Sequence, residues 1–137
     1  MQEATDEFLA GALGVVRYDR LYLPGGGGAL SATGRDYIRA MQVRKECLYL
    51  VELHHVARIV LLFHGPSADG SIEAACADYR RKLPWASVAV LRTRQAQDAV
   101  DLMDRREEWA GNAAVSAYRC EVDLAGRATF VNLCMTR

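Results

Sequence analysis

Two dense apolar runs near the middle of the chain constrain the fold more than any other feature of the sequence. They occupy residues 47–53 and 59–63, and only the five residues HHVAR separate them. Neither run alternates apolar with polar side chains, which is typical of strands that are covered on both faces of a sheet. Because the connection is short, the two runs predict an antiparallel hairpin at the centre of the protein.

Hydrophobic periodicity elsewhere predicts helices and further strands around this hairpin. Two predicted helices begin near Thr5 and Thr33, and Thr33 has Asp36 at capping-box spacing. Two further helices are predicted over about 72–83 and 95–110. Short strands are expected at 20–23 and 87–91, which makes the order α-β-α-β-β-α-β-α-β-β. This order predicts an α/β fold, with α+β as the alternative. Residues 1–137 then form a single domain, a mixed sheet of about six strands with helices on both faces.

The C-terminal segment predicts a second hairpin that turns at residues 125–127. Its first strand alternates apolar side chains with Arg119, Glu121 and Asp123, whereas the segment 128–135 carries apolar side chains on both faces. Charged side chains suit the edge of a sheet, so we expect the first strand at the edge and the last strand further inside. Pairing about the turn makes Cys120 and Cys134 diagonal neighbours, too far apart for an unstrained disulfide.

The charge balance and the cysteine pattern limit the compartment and the partners. Seventeen basic and seventeen acidic residues cancel, and the basic clusters lie on different predicted elements, so we expect no nucleic-acid or membrane partner. The sequence shows no secretory signal and no apolar run of about 20 residues. Its four cysteines lack a CxxC spacing, which indicates reduced, packed thiols. These features together predict a soluble, cytoplasmic protein.

A run of four glycines in PGGGGALSATGRD invites comparison with phosphate-binding loops. The lysine and the spacing of a P-loop are missing, and no third glycine follows at dinucleotide-binding spacing. A helix N-terminus after the glycines, with Arg35 in its first turn, could still hold an anion. The simpler interpretation, which we adopt, is a flexible glycine-rich loop over residues 24–32.

The histidines and cysteines do not predict a metal or a catalytic centre. In the predicted hairpin His54 and His55 lie at the opposite end from His64, so the three cannot share an ion. The same register places Cys47 roughly opposite His64, where a nucleophilic cysteine and a packed thiol are alternatives. Since no acidic residue is placed to orient His64, we expect a packed thiol and assign no catalytic residue, metal or cofactor.

Position in the fold predicts a ligand site at the carboxyl ends of two strands. The loops at 64–71 and 92–97 could together bind a small anion through arginines, hydroxyl groups and a histidine. The alternative is structural, because Ser71 could only cap a helix and Asp69 could only form a turn. The candidate ligand-binding residues are His64, Ser67, Asp69, Ser71, Arg92, Thr93 and Arg94.

Two functions from different classes follow from these observations. The first is a non-enzymatic interaction or regulatory module that binds another protein or a copy of itself. It is favoured by the neutral charge, by the absence of a catalytic motif and by a last strand that needs cover on both faces. The second is a domain that binds a small anionic ligand, or a modest enzyme, using the two loops. We expect the first.

Overall fold

The computed structural model of this protein describes residues 2–31, 33, 37–72 and 76–136. Within these residues the chain forms four α-helices, two short 3₁₀ helices and one sheet of three strands. The elements are α1 (Gln2–Leu13), a 3₁₀ helix (Gly26–Leu30), α2 (Tyr37–His54), β1 (Arg58–His64), α3 (Ala77–Lys82), α4 (Val88–Asp104), a second 3₁₀ helix (Arg106–Glu108), β2 (Ala114–Val122) and β3 (Ala128–Met135).

The sheet is mixed, and its strand order is β1-β2-β3. β1 runs parallel to β2, from Arg58 opposite Ala114 to His64 opposite Cys120. The crossover between these parallel strands contains α3 and α4, as a parallel connection requires. β3 pairs with β2 in the antiparallel sense. The prediction of a mixed α/β architecture is therefore confirmed.

Helices cover the two faces of the sheet unequally. On one face, Phe8 of α1 stacks on Phe130 at a centroid distance of 4.1 Å and meets the edge of Tyr118 at 5.0 Å. The other face carries the main core, where side chains of β1 and β2 pack against α3, α4 and the first 3₁₀ helix. This core includes Leu30, Leu61, Phe63, Tyr79, Leu91, Ala99, Leu102, Trp109, Val115 and Ala117.

The predicted central hairpin is wrong, because residues 47–53 belong to the helix α2. Val51 is buried and Cys47 packs against the core, four residues apart as on one helical face. Tyr49 and Leu53 are instead exposed, which leaves apolar side chains on the solvent face and hides the helical period in the sequence. HHVAR is not a hairpin turn: α2 ends at His54, and His55 adopts a left-handed conformation with φ 51°.

Two other predicted strands are also absent from the structure. Residues 88–91 form the first turn of α4, and the Ser87 hydroxyl accepts a hydrogen bond from the backbone N–H of Val90 and caps the helix. Residues 20–23 form neither helix nor strand. The β-branched start of α4 resembles a strand locally, but Leu91, Ala99 and Leu102 place one helical face in the core. The prediction of about six strands in the stated order is therefore not supported.

The C-terminal hairpin forms as predicted, but the positions of its strands are reversed. β2 lies in the centre of the sheet and β3 lies at its edge. Cys120 pairs with Phe130, and a register shift beyond Tyr118 places Cys134 opposite Ala117. The charges that suggested an edge strand are instead neutralised inside the fold, because Glu121 accepts hydrogen bonds from Arg119 and Arg92.

The glycine run forms a buried 3₁₀ helix, Gly26–Leu30, which we call the glycine helix. A Cβ atom on Gly26 would lie 2.3 Å from the Leu62 carbonyl oxygen, and one on Gly28 would lie 2.4 Å from the Tyr79 ring. Gly25 and Gly26 also have positive φ angles. The glycines thus allow the backbone to lie directly against β1 and α3. Of the predicted loop 24–32, Ala32 lies outside the described residues, as do Arg35 and Asp36.

Substitution of Gly26 tests this close packing. We expect Gly26→Ala to lower the free energy of unfolding by about 1–3 kcal/mol, because the new methyl group meets a backbone atom that cannot move aside. Gly11→Ala is the matched control, since nothing lies within 4 Å of a Cβ at that helical position. The control should be neutral or slightly stabilising. Urea unfolding curves of both variants decide the question, and equal stabilities would contradict the packing argument.

Candidate functional site

The structure brings together part of the predicted ligand site at the end of β1. The Ser67 hydroxyl is buried and donates to the Val122 carbonyl at 2.8 Å, and the Ser67 N–H donates to the Ser71 carbonyl at 3.0 Å. Arg92 reaches the same turn, with 3.3 Å from its Nη2 to the Ser67 carbonyl oxygen. The residues 92–97 that hold Arg92 belong to α4 rather than to a loop after a strand.

The charge of Arg92 is already matched by a carboxylate. Its Nε and Nη2 donate to the two oxygens of Glu121 at 2.8 and 3.1 Å, and Arg119 donates to Glu121 at 2.7 Å. Burial alone would raise the pKa of Glu121, but the hydrogen bonds from Arg92 and Arg119 outweigh it and hold that pKa below its usual value. Arg92 therefore joins α4 to β2 as part of the fold.

The remaining predicted residues do not converge on the same point. Arg94 donates to Asp98 and Asp101 within α4, and Thr93 is exposed. Asp69 is exposed and accepts a hydrogen bond from the Ser71 N–H at 3.3 Å, as in a local turn. The His64 carbonyl accepts from the buried Gln95 amide at 2.9 Å, and burial lowers the pKa of His64.

Asp98 is the centre of a polar network inside the core that the sequence analysis did not predict. Its side chain is fully buried and accepts hydrogen bonds from Thr33 at 2.5 Å, from Tyr79 at 2.6 Å and from Arg94 at 2.8 Å. Burial, together with the charge of Asp98, raises the pKa of Tyr79. The phenol therefore donates to the carboxylate, and the network links α3, α4 and the chain that follows the glycine helix. The spacing of Arg94 and Asp98, one helical turn apart, is the one signal in the sequence.

A cavity of about 550 Å³ lies beside this network. Its lining carries both signs of charge, including Arg44, Arg94 and Arg105 together with Asp101 and Asp104. Arg44 is buried and pairs with Glu108 at 2.9 Å. Because Arg44 and Arg94 are paired with carboxylates and Asp101 and Asp104 also line it, the cavity does not have the single sign of charge that an anion site would use.

The cysteine next to His64 is not activated as a nucleophile. Cys47 lies in α2, and burial raises its pKa. The residue that pairs with His64 in the sheet register is Cys120, whose pKa is also raised by burial. A raised thiol pKa and a lowered imidazole pKa both favour neutral groups rather than a thiolate–imidazolium pair. All four cysteines are free. Among the described residues, no three histidine, cysteine, aspartate or glutamate side chains cluster as a metal site would require.

Comparisons with protein-family models, with curated proteins and with solved structures each found no match. No helix in the described part of the chain combines the length and the apolar character needed to cross a membrane.

The outer edge of β3 lacks the charged residues that usually protect the edge strand of a sheet. Within the described residues β3 has a strand neighbour on one side only, and it contains no charged residue although a quarter of the chain is charged. Edge strands are commonly protected by lysines, prolines or bulges. β3 has only the register irregularity opposite Ala117 and Tyr118. A strand with the composition of an interior strand therefore lies at an edge.

The stability of the core network depends on Asp98. We expect Asp98→Asn to lower the free energy of unfolding by about 2–4 kcal/mol, because Arg94 loses a buried counter-charge and two hydroxyl groups lose an ionic acceptor. Asp101→Asn is the matched control, since Asp101 accepts from the same arginine but is exposed. Its cost should stay below about 1 kcal/mol. Equal costs in chemical denaturation would contradict a central role for Asp98.

The lowered pKa of Glu121 predicts a dependence of stability on pH. A carboxyl whose pKa is lower in the folded state stabilises the fold above its unfolded pKa, and this contribution is lost as pH falls through the folded value. Glu121→Gln should therefore be less stable than the parent at pH 7, and the difference should shrink below about pH 4. Thermal midpoints of both proteins between pH 7 and pH 3 provide the measurement. A constant difference would show that the carboxylate charge is not involved.

Proposed function

We propose that this protein is a non-enzymatic protein-interaction module, and that its binding element is the outer edge of β3. A partner would add an extended strand to this edge and pair with the free backbone groups of β3. The observation that carries the proposal is the mismatch between the uncharged, apolar sequence of β3 and its edge position. An exposed edge of this kind is a template for pairing with another chain.

The opposite edge of the sheet supports the choice of β3. At β1, the glycine helix lies so close that Gly26 leaves no room for a side chain beside the Leu62 carbonyl. The fold thus shields one edge strand with buried backbone. The exposed side chains of β3 are Thr129, Asn132 and Met135, none of which is charged. Strand addition at β3 would meet no charge repulsion from the strand itself.

Binding of a small anion through the loops 64–71 and 92–97 is the second candidate, and the geometry supports it less. Arg92 and Ser67 do meet, which favours this site. However, Glu121 takes two hydrogen bonds from Arg92, while Asp98 and Asp101 take those of Arg94. An anion would have to displace these carboxylates to reach either arginine.

The two asparagines of the chain allow a matched test of the proposed edge. Both Asn112 and Asn132 are exposed, but only Asn132 lies on β3. Asn132→Lys places a charge on the edge strand, as natural edge strands do, whereas Asn112→Lys makes the same change on a turn. Each immobilised variant and the parent would be used to capture proteins from an extract of the source cells.

We expect a specific partner to be retained by the parent and by Asn112→Lys, and to bind Asn132→Lys at least tenfold more weakly. The purified partner should then slow amide hydrogen exchange within β3. A partner that binds all three proteins equally would show that binding uses a different surface, and the proposal would fail.

A further inference from the structure

We infer that the strand added to the β3 edge is β3 of a second copy of this chain, paired in the antiparallel sense about a two-fold axis. This inference rests on the proposed function and specifies its partner. It follows from the directions of the backbone groups of β3, from the charges along that strand and from the aromatic contacts beneath it.

The backbone groups that face outward follow from the hairpin turn. The Asp123 N–H donates to the Arg127 carbonyl at 2.9 Å, so these two residues form a hydrogen-bonded pair. Hydrogen-bonded and non-hydrogen-bonded pairs alternate along antiparallel strands. Thr129 and Val131, opposite Glu121 and Arg119, therefore direct their N–H and C=O groups towards β2. The alternate residues Ala128, Phe130 and Asn132, which belong to the non-hydrogen-bonded pairs, direct these groups outward.

Three outward-facing residues at alternate positions suit a symmetric pairing. With the two-fold axis at Phe130, Phe130 faces its own copy, and Ala128 of each chain faces Asn132 of the other. An antiparallel pair of identical strands satisfies the self-complementarity that a two-fold interface requires. The register shift that begins beyond Tyr118 and Asn132 limits the regular alternation to this part of β3. Phe130 is thus the centre of the available segment.

Electrostatics permits this arrangement. β3 carries no charge from Ala128 to Met135, so no like charges face each other across the axis. In this register Arg127 faces Leu133 of the second copy, and Arg127 is already paired with Asp123 at 2.9 Å. The chain as a whole has a formal net charge of zero, so two copies meet no long-range repulsion.

The aromatic cluster on the α1 face would extend across the axis. Phe130 already stacks on Phe8 at 4.1 Å. In a hydrogen-bonded antiparallel pair the opposed Cα atoms are about 5.5 Å apart, so the two Phe130 rings would become cross-strand neighbours. The dimer would contain one continuous sheet of two times three strands, in which β3 is no longer an edge.

A single strand pair is a small interface, so the expected association is weak. Stable interfaces bury about 1,200–2,000 Å² in total, more than one edge pairing alone supplies. We therefore expect a dimer with a dissociation constant of roughly 10–300 µM. At the low concentrations of most assays the protein would be monomeric, which leaves the edge free for a different partner strand.

Sedimentation equilibrium tests the inference on the whole chain. The parent, Asn112→Lys and Asn132→Lys would be compared from about 10 µM to 1 mM, a range that brackets the expected dissociation constant. A reducing agent excludes disulfide dimers through Cys134, which is half-buried on β3. The parent and Asn112→Lys should dimerise, and Asn132→Lys should do so at least tenfold more weakly. Asn132→Pro removes an outward N–H group but no hydrogen bond to β2, so it should weaken dimerisation in the same way. This second variant keeps the test valid if the lysine variant fails to fold.

Amide hydrogen exchange identifies the surface. As the parent dimerises, exchange should slow at Ala128, Phe130 and Asn132 and stay unchanged at Thr129 and Val131. The inference would be overturned if the parent remains monomeric at about 1 mM. It would equally be overturned if the folded Asn132 variants dimerise with the same dissociation constant as the parent, or if the parent dimerises without this exchange pattern. The proposed function is judged separately. If the parent is monomeric but a different partner still requires Asn132 for binding, β3 remains the interaction edge and only the pairing of two copies is excluded.

Discussion

The fold depends on one buried carboxylate. Asp98 of α4 accepts hydrogen bonds from Tyr79 of α3 and from Thr33, which follows the glycine helix, while Arg94 supplies the counter-charge. The Tyr79 ring, oriented by this bond, is the surface on which Gly28 packs. A buried charge is tolerated only when it is paired and hydrogen-bonded. One residue therefore links α3 and α4 to the glycine helix, and the glycine helix in turn lies against β1.

A second paired carboxylate allows a charged strand to lie at the centre of the sheet. Glu121 takes hydrogen bonds from Arg92 and Arg119, so β2 can carry charges and still be covered by α4. Because β2 is satisfied between two neighbours, β3 is left at the edge without a charge of its own. The ion pair between Arg92 and Glu121 thus has two consequences. It leaves Arg92 unavailable to an anion, and it satisfies β2 at the centre of the sheet while β3 lies at the edge.

The candidate sites could be predicted only in part from the sequence. The turn after β1 and Arg92 were both identified, and they do meet, but their partner Glu121 is more than 25 positions further along the chain. In the sequence, its alternation with apolar residues predicts an exposed edge strand instead. Asp98 had a local signal in its spacing from Arg94, yet Thr33 and Tyr79 reach it through long-range packing that no local pattern contains.

The sequence by itself determined the mixed α/β class, β1 and the C-terminal hairpin, because alternation and β-branched runs bounded by turn residues act over a few neighbours. The tertiary structure alone decided that residues 47–53 and 88–91 are helical, since each helix leaves apolar side chains exposed and only the buried face shows its period. It also decided strand order and the helical form of the glycine run. Those choices depend on contacts between distant residues, and local propensity yields to packing of this kind.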